Sequence, residues 1–73
     1  MQIIVNGRIR HTGSMELSYE DVVALAFDHP PTATVLTVTY RHQATKTSGT
    51  LTPGQRVAVE ERMIFNVADT SNA

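Results

Sequence analysis

Cysteine is absent from the 73-residue chain. Its absence excludes a disulfide framework, thiolate catalysis and cysteine-based zinc sites. A small hydrophobic core must therefore supply the stability, which suits a protein of the cytosol. The chain also has no apolar run near the ~18 residues of a membrane helix. Its first residues lack the basic start and long apolar stretch of a signal peptide. We therefore expect a soluble, intracellular and cytoplasmic domain.

An excess of charge of either sign is also missing, because the formal net charge is −1. Nothing in this balance indicates binding to nucleic acid or to an anionic membrane surface. The composition, 41% hydrophobic and 18% charged, is that of a globular rather than a disordered chain. A chain of 73 residues is expected to form a single domain with little room for an internal cavity.

The residues that commonly carry catalysis or bind metals are not arranged for either task. His11, His29 and His42 fall on three different predicted elements and show no metal-ligand spacing. Glu60 and Glu61 are paired carboxylates, but acid–base work would need a cleft that so small a domain does not offer. The chain has no glycine-rich phosphate loop. We therefore predict no metal, no cofactor and no intrinsic catalysis.

The first residues, MQIIVNGR, predict a β-hairpin. Met1, Ile3 and Val5 lie on one face of a strand with period two. Asn6 and Gly7 then form the commonest two-residue hairpin turn, since both can adopt a positive φ.

A second strand is predicted to return from about Arg8 to Leu17. We expect its inner face to carry Ile9, Met15 and Leu17. His11 and Gly13 share the same parity, which suggests a bulge at that point.

The segment LSYEDVVALAF predicts a short helix. Ser18 is a strong N-cap, Asp21 resembles the partner of a capping box, and Leu17 with Val22 would form a hydrophobic staple. The helix should stop near Asp28 or His29, because the two prolines that follow cannot continue it. Its apolar face would consist of Val22, Val23, Leu25, Ala26 and Phe27.

The rest of the chain predicts strands separated by turns. A third strand with Leu36, Val38 and Tyr40 on one face is expected between Val35 and His42. A polar loop and a brief edge strand at residues 49–51 follow, and then a turn at Pro53-Gly54. Residues 56–59 alternate weakly. The last strand is expected over 63–68, with Phe65 and Val67 inward.

A single helix must cover one face of a single sheet. The last strand can pair with the first in parallel, because a crossover that includes the helix precedes it. The first strand then lies inside the sheet. The sequence therefore predicts an α+β domain with a mixed four- to five-stranded sheet and one packed helix over residues 1–68, followed by a flexible tail over 69–73.

This order and several motifs resemble a known family. MQIIVNG is similar to the start of ubiquitin, a protein with the β-grasp fold. VNGR, LSYEDVVALAF, TVTYR and GTLTPGQRVAVEERMIFNV resemble the recurring motifs of bacterial multiubiquitin-type domains, and the resemblance covers nearly the whole chain. It implies a ubiquitin-like β-grasp domain.

The resemblance also implies a small protein modifier. Such modifiers are encoded beside an activating enzyme, a conjugating enzyme and a metal-dependent isopeptidase, and related operons are linked to antiphage defence. The C-terminal carboxylate would be adenylated with ATP and end as an amide on a target protein.

The predicted tail is polar, slim and about 17 Å long when extended, at roughly 3.4 Å per residue. It departs from ubiquitin at its end, where Ser71, Asn72 and Ala73 replace the Gly-Gly pair. Three readings stay open: enzymes that accept Ala73, trimming by a peptidase, or an ordinary terminus that is never conjugated.

The resemblance also implies surfaces for partners. The outer sheet face would carry the candidate partner-binding residues Ile4, Thr37, Thr39, Arg41, Ile64 and Asn66. Lys46, the only lysine, is the candidate acceptor for chain formation, with a half-buried N-terminal amine as the other choice. We expect the free protein to be a monomer.

Two other functions remain open. The first is a non-covalent interaction module that binds protein through the sheet face or an exposed edge. The second is a sulfur-carrier-like protein, which would need the terminal glycine that is absent here.

Overall fold

The computed structural model describes residues 1–27 and 36–69. Within these ranges the chain forms a mixed five-stranded sheet, a two-stranded ribbon and one helix. The elements are β1 (Gln2–Val5), β2 (Arg8–His11), β3 (Glu16–Ser18), α1 (Tyr19–Ala26), β4 (Leu36–His42), β5 (Thr47–Leu51), β6 (Arg56–Ala58) and β7 (Met63–Asp69). The sheet order β2-β1-β7-β4-β5 with one packed helix confirms the predicted ubiquitin-like β-grasp fold.

The first strand lies inside the sheet, as predicted. β1 pairs antiparallel with β2 and parallel with β7. Ile4 lies beside Ile64, and Val5 lies beside Phe65. Pairing on both edges holds in place a strand that begins at the second residue of the chain.

The first turn has the conformation that its sequence predicts. Asn6 has a φ of 51° and Gly7 a φ of 79°, so the turn is of type I′. Val5 consequently pairs with Arg8, and Ile4 with Ile9. Because partners in a register share a face, Ile9 lies on the same side of the sheet as Ile4.

The prediction for the second strand is wrong in length and in facing. β2 ends at His11 rather than running on through a bulge. Ile9 is 63% exposed and Met15 is 81% exposed, so neither lies in the core. Leu17 is buried, but it belongs to β3, which leaves the main sheet and pairs with β6.

The helix begins with the predicted cap. The Ser18 hydroxyl accepts a hydrogen bond from the Asp21 amide at 3.1 Å, and the Asp21 carboxylate accepts one from the Ser18 amide at 3.1 Å. The two bonds form a reciprocal capping box. The helix ends at Ala26, earlier than predicted, and Phe27 is extended with a φ of −132°. Asp28 and His29 lie outside the described residues.

The core lies between the helix and the facing side of the sheet. Phe65 and Val67 point inward as predicted, and the helix contributes Val22 and Val23. The buried apolar residues are Ile3, Val5, Leu17, Val22, Val23, Leu36, Val38, Leu51, Met63, Phe65 and Val67. Leu25, Ala26 and Phe27 are only partly buried against this cluster.

The later strands follow the prediction with small shifts. β4 begins at Leu36, and Val35 lies outside the described residues. β5 spans five residues and is longer than the brief edge strand expected. β7 continues to Asp69, so this residue is part of the strand, and residues 70–73 of the predicted tail lie outside the described part.

Candidate partner-binding face

The candidate partner-binding residues all lie on the sheet face opposite the helix, called here the outer face. Ile4, Ile64 and Arg41 lie side by side across three strands. In the next register row along β4 and β7, Thr39 lies beside Asn66. Thr37 has the same parity on β4 and pairs with Ala68. Side chains alternate between the two faces of a strand, so this whole set faces away from the buried residues between them.

Three isoleucines form a continuous row across neighbouring strands of the outer face. Ile4 lies between Ile9 and Ile64, and adjacent strands lie about 4.8 Å apart. Ile9 is exposed, whereas Ile4 and Ile64 are half-buried. Sequence reasoning missed Ile9 as a member of this isoleucine row. The signal was present, because a two-residue turn at Asn6-Gly7 places Ile9 directly opposite Ile4.

The other half of the outer face is polar and shallow. Arg41 lies next to Ile64 in the register and is exposed. A groove of about 340 Å³ opens beside it, lined by the outer-face residues Thr39, Arg41, Ser48, Thr50 and Asn66 and by Tyr40 and Gly49, which lie between them in the strands but have the parity of the helix side. Small hydroxyl side chains and a single cation suit contact with another protein surface better than enclosure of a small molecule.

The outer face carries no carboxylate on any of the five described strands. Glu61 lies off the face and accepts a hydrogen bond from the Gln2 amide at 3.0 Å. Glu60 accepts one from the Ala44 amide at 3.3 Å. The two carboxylates therefore bind backbone amides, one at the start of β1 and one in the turn after β4.

The two candidate acceptor amines are both at the surface. Lys46 is exposed in the turn between β4 and β5, with a φ of 56°. Met1 is 43% exposed, and its amine donates a hydrogen bond to the Thr12 carbonyl at 3.1 Å.

The histidines do not come together in the described part of the chain. His11 ends β2, while His42 ends β4 and contacts the Ala58 carbonyl through Nε2 at 3.1 Å. His29 lies outside the described residues. Within residues 1–27 and 36–69, no three His, Asp or Glu side chains lie close enough together to hold a metal ion.

Comparison with family models decides the family. The model described as multiubiquitin matches residues 1–71. The chain belongs to the multiubiquitin family. Neither curated proteins nor solved structures gave a match. In the described part of this multiubiquitin-family chain, no helix is long and apolar enough to span a bilayer.

Proposed function

We propose that this multiubiquitin-family chain is a bacterial ubiquitin-like modifier that is joined to target proteins through its C-terminal carboxylate. The observation that carries the proposal is the family match, which extends over residues 1–71 and thus over the whole β-grasp domain. The domain itself performs no catalysis, and its partner enzymes supply the chemistry. It acts in the cytoplasm, and antiphage defence is the proposed setting.

The reaction uses the carboxylate of the terminal residue, Ala73 in this chain. An activating enzyme joins that carboxylate to the AMP portion of ATP and releases pyrophosphate. The acyl group then passes to a carrier residue, with release of AMP, and finally to a target amine, which loses a proton as the amide forms. Ser71 and Asn72 precede the reacting carboxyl and carry only small polar side chains.

The position of β7 supports a role in which the end of the chain is handled by enzymes. β7 is the middle strand of the sheet and is paired with both β1 and β4. Its residues Met63, Phe65 and Val67 are buried. The segment after Asp69 therefore leaves a strand that is hydrogen-bonded on both edges and buried on one face, which anchors the domain while that segment is handled.

The isoleucine row and Arg41 are the proposed contact with the activating and conjugating enzymes and with an isopeptidase. One exposed and two half-buried isoleucines next to a single cation provide apolar area and one fixed charge for orientation. Lys46 and the Met1 amine are the proposed acceptors if copies are joined to one another.

The test uses an N-terminally tagged chain in a lysate of its native host with ATP. ATP-dependent adducts on a denaturing gel, with mass spectrometry showing an amide from Ala73, are the expected result. A matched control carries extra residues after Ala73 that resist trimming, and it should form none. Adducts that end at an earlier residue would show processing before conjugation.

The alternative is a non-covalent interaction module, favoured by the open outer face and the free sheet edges. Absence of adducts in a lysate whose conjugating enzymes are demonstrably active would contradict the modifier and leave this module. Capture of the same proteins by the blocked and unblocked chains would then support it.

A further inference from the structure

The edge strand β2 carries two arginines on one side. β2 is an edge strand of the sheet, and in the described part of the chain it pairs only with β1. Arg8 lies opposite Val5, and Arg10 lies opposite Ile3. Since Val5 and Ile3 are buried on the helix side, both arginine side chains project from that side of the sheet edge.

The free edge of β2 presents unpaired backbone groups at fixed positions. Met1 and Thr12 exchange both of their backbone hydrogen bonds, at 3.1 and 2.9 Å. Along an antiparallel ladder, every second pair of opposite residues is hydrogen-bonded. Counted from Met1 and Thr12, the next such pairs are those of Arg10 and Arg8, whose backbone groups therefore point toward β1. The amides and carbonyls of Ile9 and His11 therefore point outward, where an added strand can bind them.

The arginines have unmet capacity for an anion. The Nε of Arg10 is buried and has no hydrogen-bond partner, the only such side-chain atom in the described part of the chain. Among residues 1–27 and 36–69, no ion pair joins a carboxylate to Arg8 or Arg10, and Asp21 and Glu61 accept hydrogen bonds from the backbone amides of Ser18 and Gln2. A carboxylate of a partner would not reach this buried Nε, but it can bind the guanidinium group of exposed Arg8 and the accessible part of Arg10.

The same charges decide which strand can occupy the edge. A second copy that paired through its own β2 would place arginine against arginine, and like charges across a strand pair are destabilising. An acidic strand is attracted instead. In a strand added to β2, residues opposite Arg8 and Arg10 share the helix side, and the residue opposite Ile9 shares the outer face.

We propose that the β2 edge binds an extended segment of a partner protein in which acidic residues alternate with apolar ones. The acidic residues lie beside Arg8 and Arg10, and the apolar residues extend the isoleucine row beyond Ile9. The backbone of the segment bonds to Ile9 and His11. This site does not include the C-terminal carboxylate. Peptide binding at β2 can therefore be present or absent whether or not the chain is conjugated to targets.

The test titrates a fluorescent peptide, Gly-Ser-Val-Glu-Val-Glu-Val-Ser-Gly with blocked ends, into the full chain labelled with ¹⁵N. Saturable binding is expected by fluorescence anisotropy. The largest amide shifts are expected at Ile9 and His11, with little change along the opposite edge, Thr47–Leu51. A peptide with lysine in place of glutamate should not bind.

Charge reversal on the protein supplies the matched controls. Arg10→Glu should weaken binding at least about fivefold, because attraction becomes repulsion at a partly exposed site. Arg56→Glu changes the net charge equally but lies on β6, and it should alter binding less than about twofold. If Arg10→Glu unfolds, Arg8→Glu replaces it as the test variant, because Arg8 is at an exposed position. The double variant Arg8→Glu/Arg10→Glu should bind the lysine peptide.

Three results would overturn the proposal. The first is no binding of the glutamate peptide. The second is equal weakening by Arg10→Glu and Arg56→Glu, which would show attraction by net charge alone. The third is a set of shifts centred on β5, which would place the peptide on the other edge of the sheet.

Discussion

The side-chain oxygen of Asn6 accepts a hydrogen bond from the backbone amide of Val67 at 2.8 Å, across 61 residues of sequence. The Asn6 amide donates in turn to the Phe65 carbonyl at 3.0 Å. Asn6 also holds the positive φ that the first hairpin needs. One residue therefore shapes the turn between β1 and β2 and fastens it to the central strand β7.

Replacement of Asn6 should separate these two roles. Asn6→Gly keeps the positive φ but loses the bond to Val67, and we expect a loss of about 1 kcal/mol in the free energy of unfolding. Asn6→Ala also incurs left-handed strain and should lose about 2 kcal/mol or more. Asn6→Asp retains an acceptor oxygen and is the control. Urea denaturation measures all three, and a Gly variant as stable as the parent would refute the role of the side-chain bond.

Gly49 should not tolerate a larger side chain, because Tyr40 on the neighbouring strand covers it. A Cβ built at Gly49 would lie 2.6 Å from the Tyr40 hydroxyl oxygen and 2.8 Å from Cζ. The ring must move, so Gly49→Ala should destabilise the domain by about 1 kcal/mol after the gain in strand propensity is subtracted. Thermal unfolding gives the value.

Two further variants identify the ring as the cause. Gly13→Ala is the matched control, since nothing lies within 4 Å of its Cβ position. In the background of Tyr40→Ala, the penalty of Gly49→Ala should disappear. A penalty that persists without the ring would mean that the backbone, rather than Tyr40, demands glycine.

The cap of the helix should contribute measurably to stability in so short an element. Ser18→Ala removes the acceptor for the Asp21 amide and should cost about 1 kcal/mol. Ser14→Ala, at an exposed loop position, should change stability by less than about 0.5 kcal/mol. Guanidinium unfolding compares the two, and equal effects would show that the capping box is energetically unimportant.

Ile9 should matter for partners more than for folding. Its side chain is 63% exposed, so Ile9→Ser should cost less than about 1 kcal/mol of stability. If the isoleucine row contacts the conjugation enzymes, adduct formation should fall at least about tenfold. Met15→Ser removes an apolar side chain that is 81% exposed but lies off the outer face, and it should leave adducts unchanged. Equal adduct yields from both variants would remove the isoleucine row from the mechanism.

The elements with strong local signals were predictable from the sequence. The Asn6-Gly7 turn, the cap of Ser18 with Asp21, and the alternation of β4 and β7 each depend on residues close together in the chain. Local rules also predicted a parallel pair of β1 with β7, because a crossover containing a helix leaves few other topologies.

The prediction for the second strand was wrong where the chain pairs with a strand distant in sequence. Leu17 reads as the end of the second strand, yet it pairs with Val57 in the ribbon of β3 and β6. Met15 reads as apolar and inward, yet the chain has left the sheet before reaching it. Alternation alone cannot show where a strand changes its partner, because both partners accept the same period of two.

The sequence by itself determined the kinds of element, their order and the buried side of most strands, because hairpin turns, helix caps and side-chain alternation are local properties. Only the tertiary structure decided which residues share a surface. It set Ile64 beside the hairpin pair of Ile4 and Ile9, laid Tyr40 over Gly49, bonded Asn6 to Val67, and left Arg8 and Arg10 along a free edge. These relationships depend on strand register and sheet order, which are selected by packing of the whole core rather than by any single segment.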